Sequence, residues 1–177
     1  MRLFHKIFLC FAVIFGITFQ VAGYLLINFA YGNAIEQEKR IAFQTFQYNK
    51  YILQSMLYSS PDFLFEEDVA RSFTVPVAIY GTDGMCIFSG ISTNQNQFDF
   101  DESEDDRLSF QIFQNDEVGS IFVYDYIKQG EQEVYFITGT DISPTIHAHR
   151  EMIAYFQKIY LVILCIGIPL IFLITGM

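Results

Sequence analysis

Tryptophan is absent from this sequence, and cysteine is too scarce to build a disulfide framework: three in 177 residues. Cys10 and Cys165 fall in separate apolar runs at different depths, so they cannot bond within one subunit. Cys86 stands alone between them, and all three read as small buried apolar side chains. Glycine-rich phosphate loops, His/Cys metal-ligand spacings and nucleophile motifs are also missing, so no catalytic residue is assigned. His147 and His149 are two apart on an expected helix and point in different directions, a poor metal pair. They read as solvated side chains near a membrane, with a pH response as the alternative. Positive charge is in short supply, ten Lys and Arg against twenty Asp and Glu, which excludes nucleic acid as a partner.

What is present is hydrophobic and concentrated at the two ends. Residues 7–29 hold 23 positions without a charge, enough to cross a bilayer. They are longer than the apolar core of a signal peptide and lack a good cleavage site, so they read as a retained anchor. A second apolar run covers 159–177; its uninterrupted part, 159–175, has 17 residues, the short end of the spanning range. Arg2 and Lys6 precede the first run, which favours a cytoplasmic segment 1–6 and an outer segment 30–158 in the plasma membrane. That outer segment holds all twenty acidic residues and eight basic ones, a net of −12. Ala12, Gly16 and Gly23 share one face of the first span, with Phe19 between the glycines, and form a candidate helix-packing face. Tyr24, Tyr31, Tyr155 and Tyr160 fall near the outer boundary, where they anchor the spans in lipid.

Few prolines interrupt the outer segment. None lies between Ala34 and Ser60, and Ile35, Ala42, Phe46, Leu53 and Leu57 recur at spacings of 7, 4, 7 and 4. The first span therefore continues outward as one long helix with a single apolar stripe. Ser60-Pro61 restarts the chain into a short helix, 62–71. The period then changes to strands: 75–80 (VPVAIY), 85–89 (MCIFS) after the turn GTDG, 108–114 (LSFQIFQ), 118–127 (VGSIFVYDYI) and 133–140 (EVYFITGT), which closes the sheet. Mostly hairpin connections make the five strands antiparallel, and the flanking helices make the domain α+β. Ser143-Pro144 opens a final helix, with the Ser143 hydroxyl expected to accept from a first-turn N–H, and runs as an amphipathic stem into the second span. Pro169 lies inside that span, as a kink or a coupling device.

Six carboxylates crowd into eight residues at Asp99, Asp101, Glu102, Glu104, Asp105 and Asp106. Their repulsion is relieved by a divalent cation or by a Lys/Arg-rich peptide, and oxygen-only donors suit Ca²⁺ or Mg²⁺. An EF-hand loop is excluded, because Glu104 stands where glycine is needed and Phe110 where the last carboxylate is needed. A solvated loop that keeps the domain soluble is the other reading.

A long helix leaving a span, the hairpin V-A-I-Y-G-T-D-G-M-C-I-F-S, three more strands, and F-I-T-G-T-D-I-S running into a second span resemble an extracytoplasmic PAS-like (Cache/PDC) sensor domain. The layout is that of the sensor half of Gram-positive histidine kinases. The resemblance implies a five-stranded antiparallel sheet, a ligand pocket between sheet and helix, an unknown extracellular ligand, and a homodimer through the spans and the long helix. The parent would be an ATP-dependent protein histidine kinase that reaches a response regulator through a HAMP linker, a phosphoacceptor helix and an ATP-binding domain. His149-Arg150-Glu151 lacks the residues of a phosphoacceptor box. With those domains missing after Met177, the chain reads as a fragment or a truncated product. Chemoreceptors share the layout, and a stand-alone two-span accessory or scaffold protein is a further alternative.

Overall fold

The computed structural model describes residues 2–59, 72–91, 109–114, 118–129 and 132–176. In chain order they form α1 (Arg2–Ser59), β1 (Val77–Gly81), β2 (Cys86–Ser89), β3 (Ser109–Gln114), β4 (Gly119–Gln129), β5 (Gln132–Asp141) and α2 (Ser143–Gly176). The expected helix 62–71 and the acidic run lie outside the described residues. Two compact units result, Met1–Ile35 with Pro144–Met177, and Glu36–Ser143.

The first unit pairs two helices that are long and apolar enough to cross a membrane. Their outward faces are apolar: Phe15 is 71% exposed, Phe29 68% and Leu173 65%. Cys10 and Cys165 are exposed on these helices, which corrects the expectation that they are buried. The reason is that an all-round apolar helix leaves most of its side chains outward when it has one neighbour. α2 stays helical through Pro169.

The second unit is built on a five-stranded sheet in the order β2-β1-β5-β4-β3, with every neighbouring pair antiparallel. β5 lies at its centre, between β1 and β4, rather than at an edge. Its composition explains the position: Val134, Phe136, Ile137 and Thr138 are all buried, so both faces of the strand are covered. β4 runs to Gln129 and β5 begins at Gln132, which makes that hairpin longer than the alternating apolar pattern implied. Pro76 stops short of β1, and its carbonyl accepts from the Gly139 N–H at 3.0 Å. At the β1–β2 turn Gly84 has φ 77°, a left-handed conformation that glycine adopts without strain, and Asp83 Oδ1 accepts from the Met85 N–H at 2.9 Å.

α1 covers one face of this sheet with four of the five residues of the stripe read from its spacing; Ile35 is only half-buried. Ala42, Phe46, Leu53 and Leu57 are buried there. The Phe46 and Phe136 rings are 5.6 Å apart, and Phe73 meets Phe136 at 5.7 Å. Side chains alternate along each strand, so the register places Val77, Ile79, Ile121, Val123 and Ile127 on this same face. Each large apolar residue fully buried here stabilises the unit by about 1.5–3 kcal/mol. The opposite face carries a second cluster, Ala78, Tyr80, Phe122 and Ile137, with Cys86, Phe113 and Tyr135 packed against it.

Candidate functional site

No catalytic constellation forms among the described residues, and no group of three His, Cys, Asp or Glu there could hold a metal ion. What the structure assembles instead is a set of three polar joints within the unit Glu36–Ser143.

The first joint ties α1 to the segment entering β1. Asn49 falls three residues after Phe46 and four before Leu53, so it sits in the apolar stripe and is fully buried. A buried amide must be hydrogen-bonded. Its Nδ2 donates to the Thr45 carbonyl at 2.8 Å and to Thr74 Oγ1 at 3.1 Å, while its Oδ1 accepts from the Thr74 N–H at 3.1 Å. One side chain therefore fixes the register of α1 against residue 74. The sequence signal was available: a polar residue in phase with a buried stripe.

The second joint is electrostatic. Lys50, one residue further on, reaches Asp125 on β4, Nζ to Oδ2 2.6 Å. Asp125 pairs with Phe136 in the β4–β5 register and so points toward α1, in phase with Val123 and Ile127. An acid on the inward face of a strand needs a partner, and Lys50 at the rim of the stripe supplies it.

The third joint is the corner where the sheet hands the chain to α2. Asp141 Oδ1 accepts from the Ser143 N–H at 2.8 Å and from the Ser143 hydroxyl. The Ser143 hydroxyl oxygen accepts from the Gly119 N–H at 3.2 Å, and the Gly119 carbonyl accepts from the Ile142 N–H at 2.9 Å. Ser143 was expected to cap the first turn of its own helix. Its hydroxyl oxygen also reaches the start of β4 at Gly119, because Asp141 has turned the backbone there. Three residues upstream, Thr138 Oγ1 is buried without a hydrogen-bond partner among the described residues.

On the far face, Tyr80 is 3% exposed, and burial pushes its hydroxyl above the ordinary tyrosine range, helped by the neighbouring Cys86. Cys86 is half-buried and free. At the far end of the β4–β5 hairpin, Lys128 and Tyr126 both donate to the Glu133 carboxylate. The Lys128 bond holds that carboxyl below its ordinary range, and the same contact holds Lys128 above its own. A groove of about 490 Å³ separates α1 from the edge strand β3, with Lys39, Arg40, Phe43, Phe110 and Ile112 along it. Lys39 is ion-paired with Glu36 at 2.6 Å.

Within the helical unit, Gly16 and Gly23 face α2. A Cβ on Gly16 would lie 3.5 Å from the Tyr160 hydroxyl, and one on Gly23 would lie 2.1 Å from the Phe156 ring. Phe19 joins the same contact, 5.7 Å from Phe156 and 6.4 Å from Tyr160, centroid to centroid. Ala12 lines a neighbouring apolar groove of about 640 Å³, with Gly16, Ile163 and Gly167. His149 stacks on Tyr31 at 4.1 Å, and His147 is exposed. Tyr155 is exposed beside Lys158, whose Nζ is 5.6 Å from its ring centre.

Comparison with protein-family models, with curated proteins and with solved structures returned no match. The architecture itself is that of an α+β domain with a five-stranded antiparallel sheet and two long apolar helices, consistent with a PAS-like fold in general.

Proposed function

We propose that this chain is a membrane-anchored input module of a two-component sensor histidine kinase, with residues 30–158 outside the cell. The observation that carries the proposal is the corner at Gly119, Asp141 and Ser143. There the central strand of the sheet passes into a 34-residue helix with an apolar, span-length end. A ligand that favours one packing of the sheet on α1 would move Ser143, and α2 follows because it is continuous from that residue. Such signalling requires only differential affinity for two arrangements. The apolar outward faces of both helices fit lipid, since soluble proteins rarely expose contiguous apolar patches of more than a few hundred Å². Ala12, Gly16 and Gly23 serve as the close-approach face between the spans.

Topology is tested by thiol labelling in intact cells, in a chain whose three cysteines are replaced. A membrane-impermeant maleimide should label Thr82→Cys in the β1–β2 turn and leave Arg2→Cys unlabelled until the cells are opened. The reverse pattern, or labelling of both, removes the proposal. For the ligand, the acidic run Asp99–Asp106 keeps its sequence-based assignment to Ca²⁺, Mg²⁺ or a cationic peptide. Titration of the whole chain with each, followed by melting temperature, tests it; the absence of any saturable shift rejects it.

A further inference from the structure

The sheet has one edge that carries none of the features that usually protect an edge. β3 pairs with β4 along all six of its residues, and no other described strand lies beside it. Every second residue of an antiparallel edge strand turns its N–H and C=O away from the partner, so β3 presents a row of open backbone groups. Charge, proline or a bulge commonly blunts such an edge; Ser109–Gln114 (SFQIFQ) holds neither charge nor proline and pairs with β4 without a register shift. β2, at the opposite edge, is protected: it has four residues, and its pairing with β1 shifts register.

The side chains beside that edge are apolar and open. Phe110 and Ile112 pair with Val123 and Ile121, so they lie on the face that α1 covers, yet they are 44% and 42% exposed. Phe43 of α1 is 39% exposed and stands 6.3 Å from Phe110, ring to ring. These three line the groove of about 490 Å³ between α1 and β3. It borders the edge of the sheet rather than the filled centre, where Phe46 packs on Phe136.

Charge is the third observation. The unit Glu36–Ser143 has four described Lys and Arg residues. Lys39 is held by Glu36, Lys50 by Asp125 and Lys128 by Glu133. Arg40, which lines the groove, has no carboxylate partner among the described residues. An arginine left unpaired in a segment of net charge −12 is matched to a carboxylate from outside, and its planar fork fits one with two parallel hydrogen bonds. The acids elsewhere in the segment are screened beyond about 8 Å at physiological salt, so the contact at Arg40 decides.

We propose that the open edge of β3 takes an extended acidic-apolar peptide as an added strand. The peptide backbone continues the ladder, one apolar side chain settles against Phe43, Phe110 and Ile112, and an acidic side chain two residues away meets Arg40. The spacing is two because alternate residues of a strand share a face. An anionic lipid would meet Arg40 but leave the backbone groups of β3 open. All of these residues belong to the unit Glu36–Ser143, so the docking edge does not rest on the membrane-anchored reading. Fluorescence polarisation with the purified full chain in detergent tests it, using a labelled peptide that alternates threonine with Val, Ile and Glu. Binding should saturate, and exchange at the β3 amides should slow when the peptide is bound. Methylation of single backbone nitrogens of the peptide should weaken binding at every second residue only, since alternate N–H groups face β3. Arg40→Glu should weaken this peptide about tenfold and strengthen one carrying Lys in place of Glu, with exchange at the β4 and β5 amides unchanged. No saturable binding, no slowing at β3, a uniform effect of methylation, or indifference to Arg40→Glu would overturn the proposal. So would Arg40-dependent capture of phosphatidylglycerol vesicles by a chain that ignores the peptide, which would assign the patch to lipid.

Discussion

Removing the Lys50–Asp125 pair should separate α1 from β4 without disturbing the apolar core. The two charged atoms are 2.6 Å apart, and the side chains are 23% and 12% exposed. A fully exposed pair is worth about 0–1 kcal/mol, and losing one partner of a fully buried pair costs about 3–5. This pair lies between those limits. Lys50→Ala leaves the more buried charge alone, so it should cost about 2–3 kcal/mol. Asp125→Ala leaves a long cation free to turn into water and should cost about 1–2 kcal/mol. In the double variant the coupling should be about 1–2 kcal/mol. Hydrogen exchange at the β4 and β5 amides of the full chain in detergent reads the unit directly; tyrosine emission mixes both units, and there is no tryptophan to select one. Because water reaches the pair poorly, 1 M salt should remove less than half of the coupling. A coupling within about 0.5 kcal/mol of zero would refute the reasoning, since independent sites add to that precision.

Other variants probe the remaining joints. Asn49→Ala strips three hydrogen bonds from a buried position and should cost about 2–4 kcal/mol, while Gln44→Ala, on an exposed face, stays within about 0.5 kcal/mol in the monomer; urea unfolding compares them. Leu53→Ala should cost about 2–5 kcal/mol in the same assay. Gly23→Leu drives a side chain into the Phe156 ring and should weaken packing of the two span-length helices by about 1–3 kcal/mol, with Phe156→Ala relieving it; disulfide trapping between the helices reads the change. The Glu133 carboxyl is held below its ordinary 4.5, so its contribution to the β4–β5 hairpin is complete above that pH and is lost as pH falls through the lowered value. Lys128 is held above its ordinary 10.5, so its contribution is complete below that pH and is lost as pH rises through the raised value. Exchange at the Ile127 and Val134 amides, corrected for intrinsic rates, should therefore be flat between those limits, and Glu133→Gln should remove the acid limb.

The two long helices and the five strands were legible because each obeys a local period. The 42, 46, 53, 57 stripe gave the buried face of α1, and alternation gave five strands to within two residues at each end. The order of the sheet was not legible, since hairpin logic follows neighbours along the chain and the β1–β5 pairing joins segments more than fifty residues apart. The joints were half legible. Asn49 and Asp125 are polar residues in apolar phase, a signal that a partner exists, but nothing local names Thr74 or Lys50 as that partner. Ser143 was recognised as a helix-start residue, and its bond to Gly119 depends on a strand 24 residues away.

The proposed function requires that motion pass from the sheet into α2. Joining this chain after Met177 to the linker and catalytic domains of a histidine kinase, and measuring autophosphorylation in membranes, tests that passage. Lys50→Ala and Ser143→Ala should each shift the kinase rate severalfold while hydrogen exchange shows the sheet still folded. An output unchanged by both variants would contradict the account and favour a two-span accessory protein.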